Sequence, residues 1–398
     1  MKILHVVGGN LESGAFKGAY ILHKALKNLG VDSKILNDEI ISDKTLTNYD
    51  DENIININRS IKKKILSKIF VILEKLMKFI VLPSKRSTFT FGLIGHDISK
   101  LKEVKNADII HIHWLKDGFI SFKTISKINK PVVWTMRDMW PFTGGSHYTM
   151  EFEKYEKNRL SKKIQKIKKE FFKKIYFVAM SEWLKTKAEN SYVLNNIKIK
   201  KIFNNVDLND FNEIPKEKAK SILKINTKKK IILLGSHNPQ SLRKGWDIFL
   251  ETLKILNKDK YFLLIFGKFW SSNQIKQLGI EFKSLGYIQN INKLNAAYSC
   301  SDLFLATSLQ EAFGKTWVEA LACNKPVICF KNTAIAENIK HKLNGFIVEN
   351  RNSEELKDAI DWIIDNLNSN NLRETVQIFD KKKIAMEYLN LYKKIFSN

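Results

Sequence analysis

Apolar runs of strand length alternate with amphipathic helical runs along almost the whole chain, and this alternation limits what it can fold into more than any other feature. Strands are expected at 3–7, 33–36, 109–113, 132–135 and 175–179, with helices at 19–29 and 120–128. The pattern resumes with strands at 230–234, 262–266, 303–306 and 327–330 and helices at 246–256, 291–299 and 315–322. Strands spaced by helices pair in parallel and are covered on both faces, so each half predicts an α/β fold.

At 398 residues the chain is long enough for two domains, each with its own core. The join is expected near 202–211, where Asn204, Asn205, Asp207 and Asp210 interrupt the pattern. The expected division is 1–205, 206–380 and a last amphipathic helix at 381–398 carrying Ile384, Ala385, Tyr388, Leu389 and Tyr392. Six prolines and little Ser or Gly bias argue against long disordered linkers, and no repeat of solenoid spacing is present.

The formal charge of +26 calls for an anionic partner. Nucleic acid, anionic lipid and a nucleotide diphosphate all qualify, but no RNA-binding or helix-turn-helix signature is present, so nucleic acid is not expected. The run 61–82 places Ile61, Ile65, Ile69, Leu73, Leu76 and Ile80 on one helical face, with Lys64, Lys68, Lys75 and Lys78 largely off it. Such a basic amphipathic helix either packs its apolar face on the first domain or enters the surface of an anionic membrane. A second basic run, 160–174, carries Lys162, Lys163, Lys166, Lys168, Lys169, Lys173 and Lys174, and is expected either to flank the same surface or to be a solvated face.

Cys300, Cys323 and Cys329 lack metal-site spacing and fall in or beside apolar runs, as core thiols of a reduced compartment would. The N-terminal Met1-Lys-Ile-Leu-His-Val-Val-Gly-Gly9 reads as a first strand and not a secretion signal. No run of about 20 uncharged apolar residues is present to span a bilayer. A cytoplasmic protein, peripheral on the inner face of the membrane, is expected.

The densest local signal is Ser308-Leu-Gln-Glu311-Ala-Phe-Gly314-Lys-Thr-Trp-Val-Glu319, in which two carboxylates separated by seven residues flank a glycine turn that opens a helix. A helix start offers unpaired backbone N–H groups and partial positive charge, which suits a diphosphate. Carboxylates beside a phosphate repel it unless they bind something else, so Glu311 and Glu319 suit hydroxyl groups of a sugar and a ribose. Together these describe a sugar nucleotide.

This run, with Glu319-Ala-Leu-Ala-Cys-Asn-Lys-Pro326-Val, Ala336-Glu337-Asn-Ile and Asn344-Gly345-Phe-Ile-Val, resembles the signature of family 4 glycosyltransferases, retaining enzymes of the GT-B fold. The resemblance extends through Gly8-Gly9, Asp108-Ile-Ile-His111-Ile-His113-Trp, Asn204-Asn-Val-Asp207, Arg243-Lys244-Gly245 and Leu285-Gly286-Tyr287-Ile288. The stretch Trp134-Thr-Met-Arg137-Asp138-Met-Trp140-Pro-Phe-Thr-Gly144-Gly-Ser-His147-Tyr is similar to a subgroup acting in bacterial capsule, colanic-acid-type and O-antigen assembly.

The resemblance implies two Rossmann-like domains facing a cleft, with the C-terminal helix returning to the first. It implies that Lys244 binds the donor diphosphate, with Arg243 beside it either a second donor contact or a surface arginine whose side chain points away. Glu311 would hold the donor sugar, Glu319 the ribose, Ile288 the base, and Phe313, Gly314, Lys315 and Thr316 the phosphates through their backbone. Gly14 would let the chain approach the phosphate closely, or serve only a tight turn. Lys244, Glu311 and Arg137 would form the catalytic set. Relatives often have histidine where Arg137 stands, and the loop from Gly235 to Leu242 lacks their upstream arginine. Arg137 is therefore expected either to supply that missing charge or to pair with Asp138.

His113, Asp138 and His147 are candidates for the acceptor side, and strand alternation is expected to turn only one of His111 and His113 inward. Transfer would proceed with retention and without a protein nucleophile, the leaving phosphate helping to deprotonate the acceptor. No cofactor or metal is expected, since lysine, arginine and a helix start supply the charge. The expected partners are a UDP-, GDP- or other nucleotide-sugar donor, a glycan or lipid-linked acceptor, and an anionic membrane surface. Rival readings are a sugar-nucleotide epimerase and a catalytically silent binding or scaffold protein of a polysaccharide assembly complex. A retaining glycosidase would need its carboxyl groups about 5 Å apart across the scissile bond.

Overall fold

The computed structural model describes residues 1–39, 52–58, 60–82, 88–268, 272–367 and 371–397. The chain divides into two compact units, Met1–Asn205 with Lys381–Asn398, and Val206–Asp380.

The first unit is built on β1 (Lys2–Val7), β2 (Asp32–Asn37), β3 (Ile54–Asn56), β4 (Ile109–Trp114), β5 (Val132–Met136), β6 (Ile175–Ala179) and β7 (Lys200–Lys201). They form one sheet in the order β3-β2-β1-β4-β5-β6-β7, parallel throughout. Nearly every side chain of β1, β4 and β5 is buried, as a sheet covered on both faces requires. The second unit carries β8 (Lys230–Gly235), β9 (Tyr261–Phe266), β10 (Phe282–Ser284), β11 (Leu303–Ala306), β12 (Val327–Phe330) and β13 (Gly345–Val348), parallel in the order β10-β9-β8-β11-β12-β13.

Helix α1 (Gly14–Asn28) begins at Ser13, whose hydroxyl accepts the Phe16 N–H at 3.1 Å. Its Leu22, Ala25 and Leu26 pack with Ile3, Ile109, Val133 and Val178 of the sheet and with Ile384, Tyr388 and Tyr392 of the C-terminal helix Lys381–Phe396. Each of these large side chains contributes about 1.5–3 kcal/mol by burial.

Helix α2 (Ile61–Val81) has the 3.6-residue period expected of it, but its polarity is turned outward. Ser67 and Glu74 are buried, whereas Ile61, Ile65, Ile69, Ile72, Leu73, Leu76, Phe79 and Ile80 are exposed. The alternative of an ordinary amphipathic helix packed by its apolar face is therefore corrected. The inner face is held by polar bonds: Ser67 donates to Asn58 Oδ1 at 2.6 Å, and Glu74 accepts the Phe91 N–H.

A second correction concerns one lysine of the basic run 160–174, in the helix Arg159–Phe171; Lys162, Lys163, Lys166, Lys173 and Lys174 are exposed as expected. Lys168 is fully buried; its Nζ donates to the carbonyls of Trp140 and Thr143 and lies 3.7 Å from the centre of the Trp140 ring. It belongs neither to a solvated face nor to a membrane surface. All three cysteines are buried free thiols.

Candidate functional site

In the second unit the chain leaves β8, makes a short turn at Leu242–Lys244 and enters the helix Trp246–Ile255 through Gly245. Gly245 has φ +70°, and a Cβ there would overlap the Thr307 carbonyl, so this turn can seat itself beside β11 only with glycine. The close approach brings Lys244 to the loop that follows β11. Its Nζ donates to Glu311 Oε2 and, at 3.2 Å, to Ser308 Oγ.

Arg243 reaches the same carboxylate, 3.5 Å from Glu311 Oε2, and donates to the Gln310 carbonyl at 3.2 Å. The alternative of a surface arginine that points away is corrected: Arg243 and Lys244 occupy one tight turn against the 308–311 loop, which meets both. Two cations share one largely buried carboxylate. Burial, which disfavours the charged amine, moves the Lys244 pKa below its ordinary value, while Glu311 opposes that shift.

Three residues after Glu311, Gly314 at φ +72° opens the helix Lys315–Ala322. The helix starts beside the Lys244–Glu311 pair, since a Cβ on Gly314 would stand 3.0 Å from Glu311 Cγ. Its first turn includes Lys315 and Thr316. Phe313 is fully buried between the Trp317 and Phe379 rings, anchoring the turn from behind. Glu319, one turn in, accepts the Tyr298 hydroxyl at 2.7 Å, and burial beside this carboxylate raises the Tyr298 pKa. Ile288 is buried in the loop after β10. The second unit thus assembles a carboxylate, two cations, a helix start and a second, tyrosine-held carboxylate.

The other candidates lie in the first unit. Arg137, at the end of β5, donates to Asn204 Oδ1 at 2.6 Å, to His113 Nδ1 at 3.0 Å and to Met180 Sδ at 3.5 Å. Among the described residues it has no acidic partner, so the alternative of an ion pair with Asp138 is corrected: the two side chains leave the loop in different directions. Its Nε is buried without a partner, and burial lowers its pKa to about 10. The guanidinium lies against α1, where a Cβ on Gly18 would stand 2.6 Å from Nη1. Gly14, at the start of that helix, has open space where a Cβ would project.

His111 and His113 both point inward, because residues two apart on a strand share a face; the expectation that only one does so is corrected. With His5 they form a buried cluster, ring centres 4.0–5.1 Å apart. Arginine can only donate, so His113 Nδ1 accepts, and its Nε2 proton points to His5 Nδ1 at 2.8 Å. Burial holds the pKa of all three rings well down, in keeping with neutral rings. His111 spends Nδ1 on Tyr392 and Nε2 on Thr135, which also meets Tyr388, tying the C-terminal helix to the sheet. The trio has the nitrogen spacing of a metal site, but every ring nitrogen except the buried His5 Nε2 is already bonded and a guanidinium adjoins it, so it does not fit a divalent cation.

Asp138 and His147 do meet: His147 Nδ1 lies 2.6 Å from Asp138 Oδ2, which also accepts the Trp114 indole N–H at 2.6 Å. The second Asp138 oxygen accepts the Trp140 N–H, and His147 Nε2 meets Thr90 Oγ1 at 3.1 Å. Both are buried within these bonds, and His113 is likewise bonded between His5 and Arg137. Thr90 continues to Asp117 at 3.0 Å and Asp117 to Lys78 of α2 at 2.6 Å, so the loop is joined to that helix by side-chain bonds. Sequence reasoning did not single out Gly18 or Tyr298 and did not anticipate the contacts of Ser308 and Lys168; a glycine inside a helix was the one available signal.

Residues 215–378 match the family described as Glycosyl transferases group 1. Among curated relatives, the chain is 31% identical over 173 residues, 40% of this chain and 45% of the other, to an N-acetyl-alpha-D-glucosaminyl L-malate synthase of Bacillus anthracis. It is 25% identical over 171 residues, 39% and 43% of the two chains, to the N,N'-diacetylbacillosaminyl-diphospho-undecaprenol alpha-1,3-N-acetylgalactosaminyltransferase of Campylobacter jejuni. The chain spans about half the length of the curated relatives it matches. Whole-chain likeness appears among solved structures. A glycosyltransferase from Rickettsia africae aligns with TM-score 0.67 at 23% identity over 100% of this chain and 99% of the other. HepE of Anabaena in complex with UDP-glucose aligns with TM-score 0.68 at 18% identity over 99% and 100%. Two parallel-sheet units in this arrangement of strands make the fold GT-B, and residues 215–378, which hold the Lys244–Glu311 pair and the Gly314 helix start, are a glycosyl transferases group 1 domain.

Proposed function

We propose that the chain is a retaining glycosyltransferase of the family 4 type, transferring a sugar from a nucleotide-sugar donor to a lipid-linked or growing surface-polysaccharide acceptor. The observation that carries this reading is the sharing of Glu311 by Lys244 and Arg243 beside the Gly314 helix start, inside the group 1 domain. Fixed cations and backbone N–H groups stabilise the charge that develops on a departing diphosphate and need no reorganisation at the moment of reaction. Lys244 and Arg243 serve the diphosphate, Glu311 accepts hydroxyls of the donor sugar, and Glu319, oriented by Tyr298, accepts those of the ribose. Because these groups supply the charge, the proposed reaction is metal-independent. The leaving phosphate assists deprotonation of the acceptor, so no protein nucleophile is invoked.

A uridine nucleotide is the first donor to try, since HepE has been solved with UDP and with UDP-glucose. The diphospho-undecaprenol in the name of the Campylobacter relative, and the capsular polysaccharide biosynthesis of a Staphylococcus aureus relative 24% identical over 151 residues, support the acceptor class. Among the described residues no helix is long and apolar enough to cross a membrane. The proposed location is peripheral, on the cytoplasmic face.

The test supplies labelled nucleotide sugars and a bacterial membrane extract to the protein and follows label into lipid-extractable glycan. Incorporation that is lost in Glu311→Gln and Glu319→Ala is expected. Conversion of the sugar nucleotide without an acceptor would replace this reading with an epimerase, and donor binding without turnover would replace it with a silent scaffold.

A further inference from the structure

We infer that α2 docks on an anionic lipid surface, lying in the plane of the headgroups with its outward face inserted. This deepens the reading of a peripheral membrane enzyme and rests on it. The helix is 21 residues long, about 31 Å at 1.5 Å per residue. Along it, Ile61, Ile65, Ile69, Ile72, Leu76 and Ile80 recur at intervals of three and four, making one continuous apolar ridge. Ile61 is 77% exposed, Phe79 67% and Ile80 81%. A monomeric protein seldom leaves so large a contiguous apolar stripe in water.

The inner face shows that the outward polarity is built in. Ser67 bonds Asn58 and His96, Glu74 accepts the Phe91 N–H, Lys78 pairs with Asp117 at 2.6 Å, and Phe70 lies edge-on to His96 at 5.2 Å. Rotating α2 to bury its apolar ridge would break all of these bonds and bring exposed lysines inward.

Charge selects the occupant. Lys64, Lys68 and Lys75, all exposed, form one row along the edge of the ridge, with Lys62 also exposed near the N-terminal end. Apolar side chains flanked by such a row match an acyl–headgroup boundary bearing phosphates, each lysine adding roughly 1 kcal/mol, about fivefold, to the attraction. A second copy of this chain would bring an identical lysine row against the first, in a protein of formal charge +26. Anionic lipid is therefore favoured over self-association.

The experiment is vesicle flotation of the full chain, without substrate, on phosphatidylcholine alone and on phosphatidylcholine with about one-third phosphatidylglycerol. Two variants accompany the parent: Ile69→Ser/Leu76→Ser/Ile80→Ser on the ridge, and Lys64→Glu/Lys68→Glu/Lys75→Glu on its edge. All six positions are exposed, so both variants keep the inner contacts, and an unchanged circular dichroism melt checks this. The parent is expected to float with the anionic vesicles and far less with neutral ones, with each variant partitioning at least about tenfold more weakly. Flotation unchanged in the ridge variant overturns the proposal. So does a parent that ignores both vesicles, and one that is then a dimer by sedimentation, dispersed by the ridge variant, has α2 as a self-association face. Stabilisation by UDP-sugars, measured on the same proteins, separates failure of docking from failure of the transferase reading.

Discussion

Lys168 is an amine of ordinary pKa 10.5 placed where water is excluded, and burial lowers its pKa to about 7. The folded chain binds fewer protons than the unfolded chain between these two values, so this group makes stability rise with pH across that window. Each pKa unit corresponds to about 1.4 kcal/mol, so below pH 7 the buried amine costs the fold roughly 5 kcal/mol relative to one left in water. About 2.5 kcal/mol of this is regained between about pH 6.5 and 9. Lys168→Met keeps the methylene stem against Trp140 and removes the titration, but leaves the Trp140 and Thr143 carbonyls without their donor. That loss of about 1–3 kcal/mol does not depend on pH, so the slope of the difference is diagnostic and its sign at neutral pH is not. Urea unfolding of parent and variant at the two pH values measures it, followed by tryptophan fluorescence, to which Trp140 contributes directly. The parent should gain about 2.5 kcal/mol on the variant as pH rises. A difference constant within about 0.5 kcal/mol would refute the reasoning and mean that Lys168 stays charged, held by the Trp140 ring face.

Gly245→Ala should lower donor affinity at least as much as loss of Lys244 and destabilise the second unit by about 2 kcal/mol or more, since a Cβ displaces the turn from Thr307; calorimetry with and without UDP-sugar reads both. Gly18→Ala should raise helix propensity yet lower transfer activity, because the new methyl meets the Arg137 guanidinium; full activity in a steady-state assay would remove Arg137 from the account. Burial raises the Glu74 pKa to about 7, so the fold holds more protons than the unfolded chain between pH 4.5 and 7 and loses stability as pH rises through that window. Glu74→Gln should therefore gain on the parent by roughly 3 kcal/mol in melts taken from pH 4.5 to 8.

The parallel-sheet architecture was legible because runs such as Leu303–Ala306 are apolar throughout and bounded by polar residues, as strands buried on both faces must be. β3, β7 and β10, of two or three residues, carry too little period to be seen. In α2 the residue spacing revealed an amphipathic helix but could not say which side faces the domain. That depends on Asn58, His96, Phe91 and Asp117, all distant from most of the helix in sequence. Lys168 was unreadable for the same reason: its burial is decided by Phe122, Trp140 and Thr143, from other elements. Around the candidate site, the glycine turns and carboxylates stood out locally. The sharing of one carboxylate by Arg243 and Lys244, and the hold of Tyr298 on Glu319, arise from chain segments brought together only by the sheet.

The most direct test of the proposed donor site is thermal stabilisation of the protein by UDP-, GDP-, ADP- and dTDP-sugars, with Lys244→Ala measured alongside. A ligand present at about a hundred times its dissociation constant adds roughly 2.7 kcal/mol, a shift of several degrees. One nucleotide class should stabilise the parent in this way and fail to stabilise the variant. Stabilisation equal in both proteins, or by no nucleotide sugar at all, would contradict a donor site built on Lys244 and Glu311.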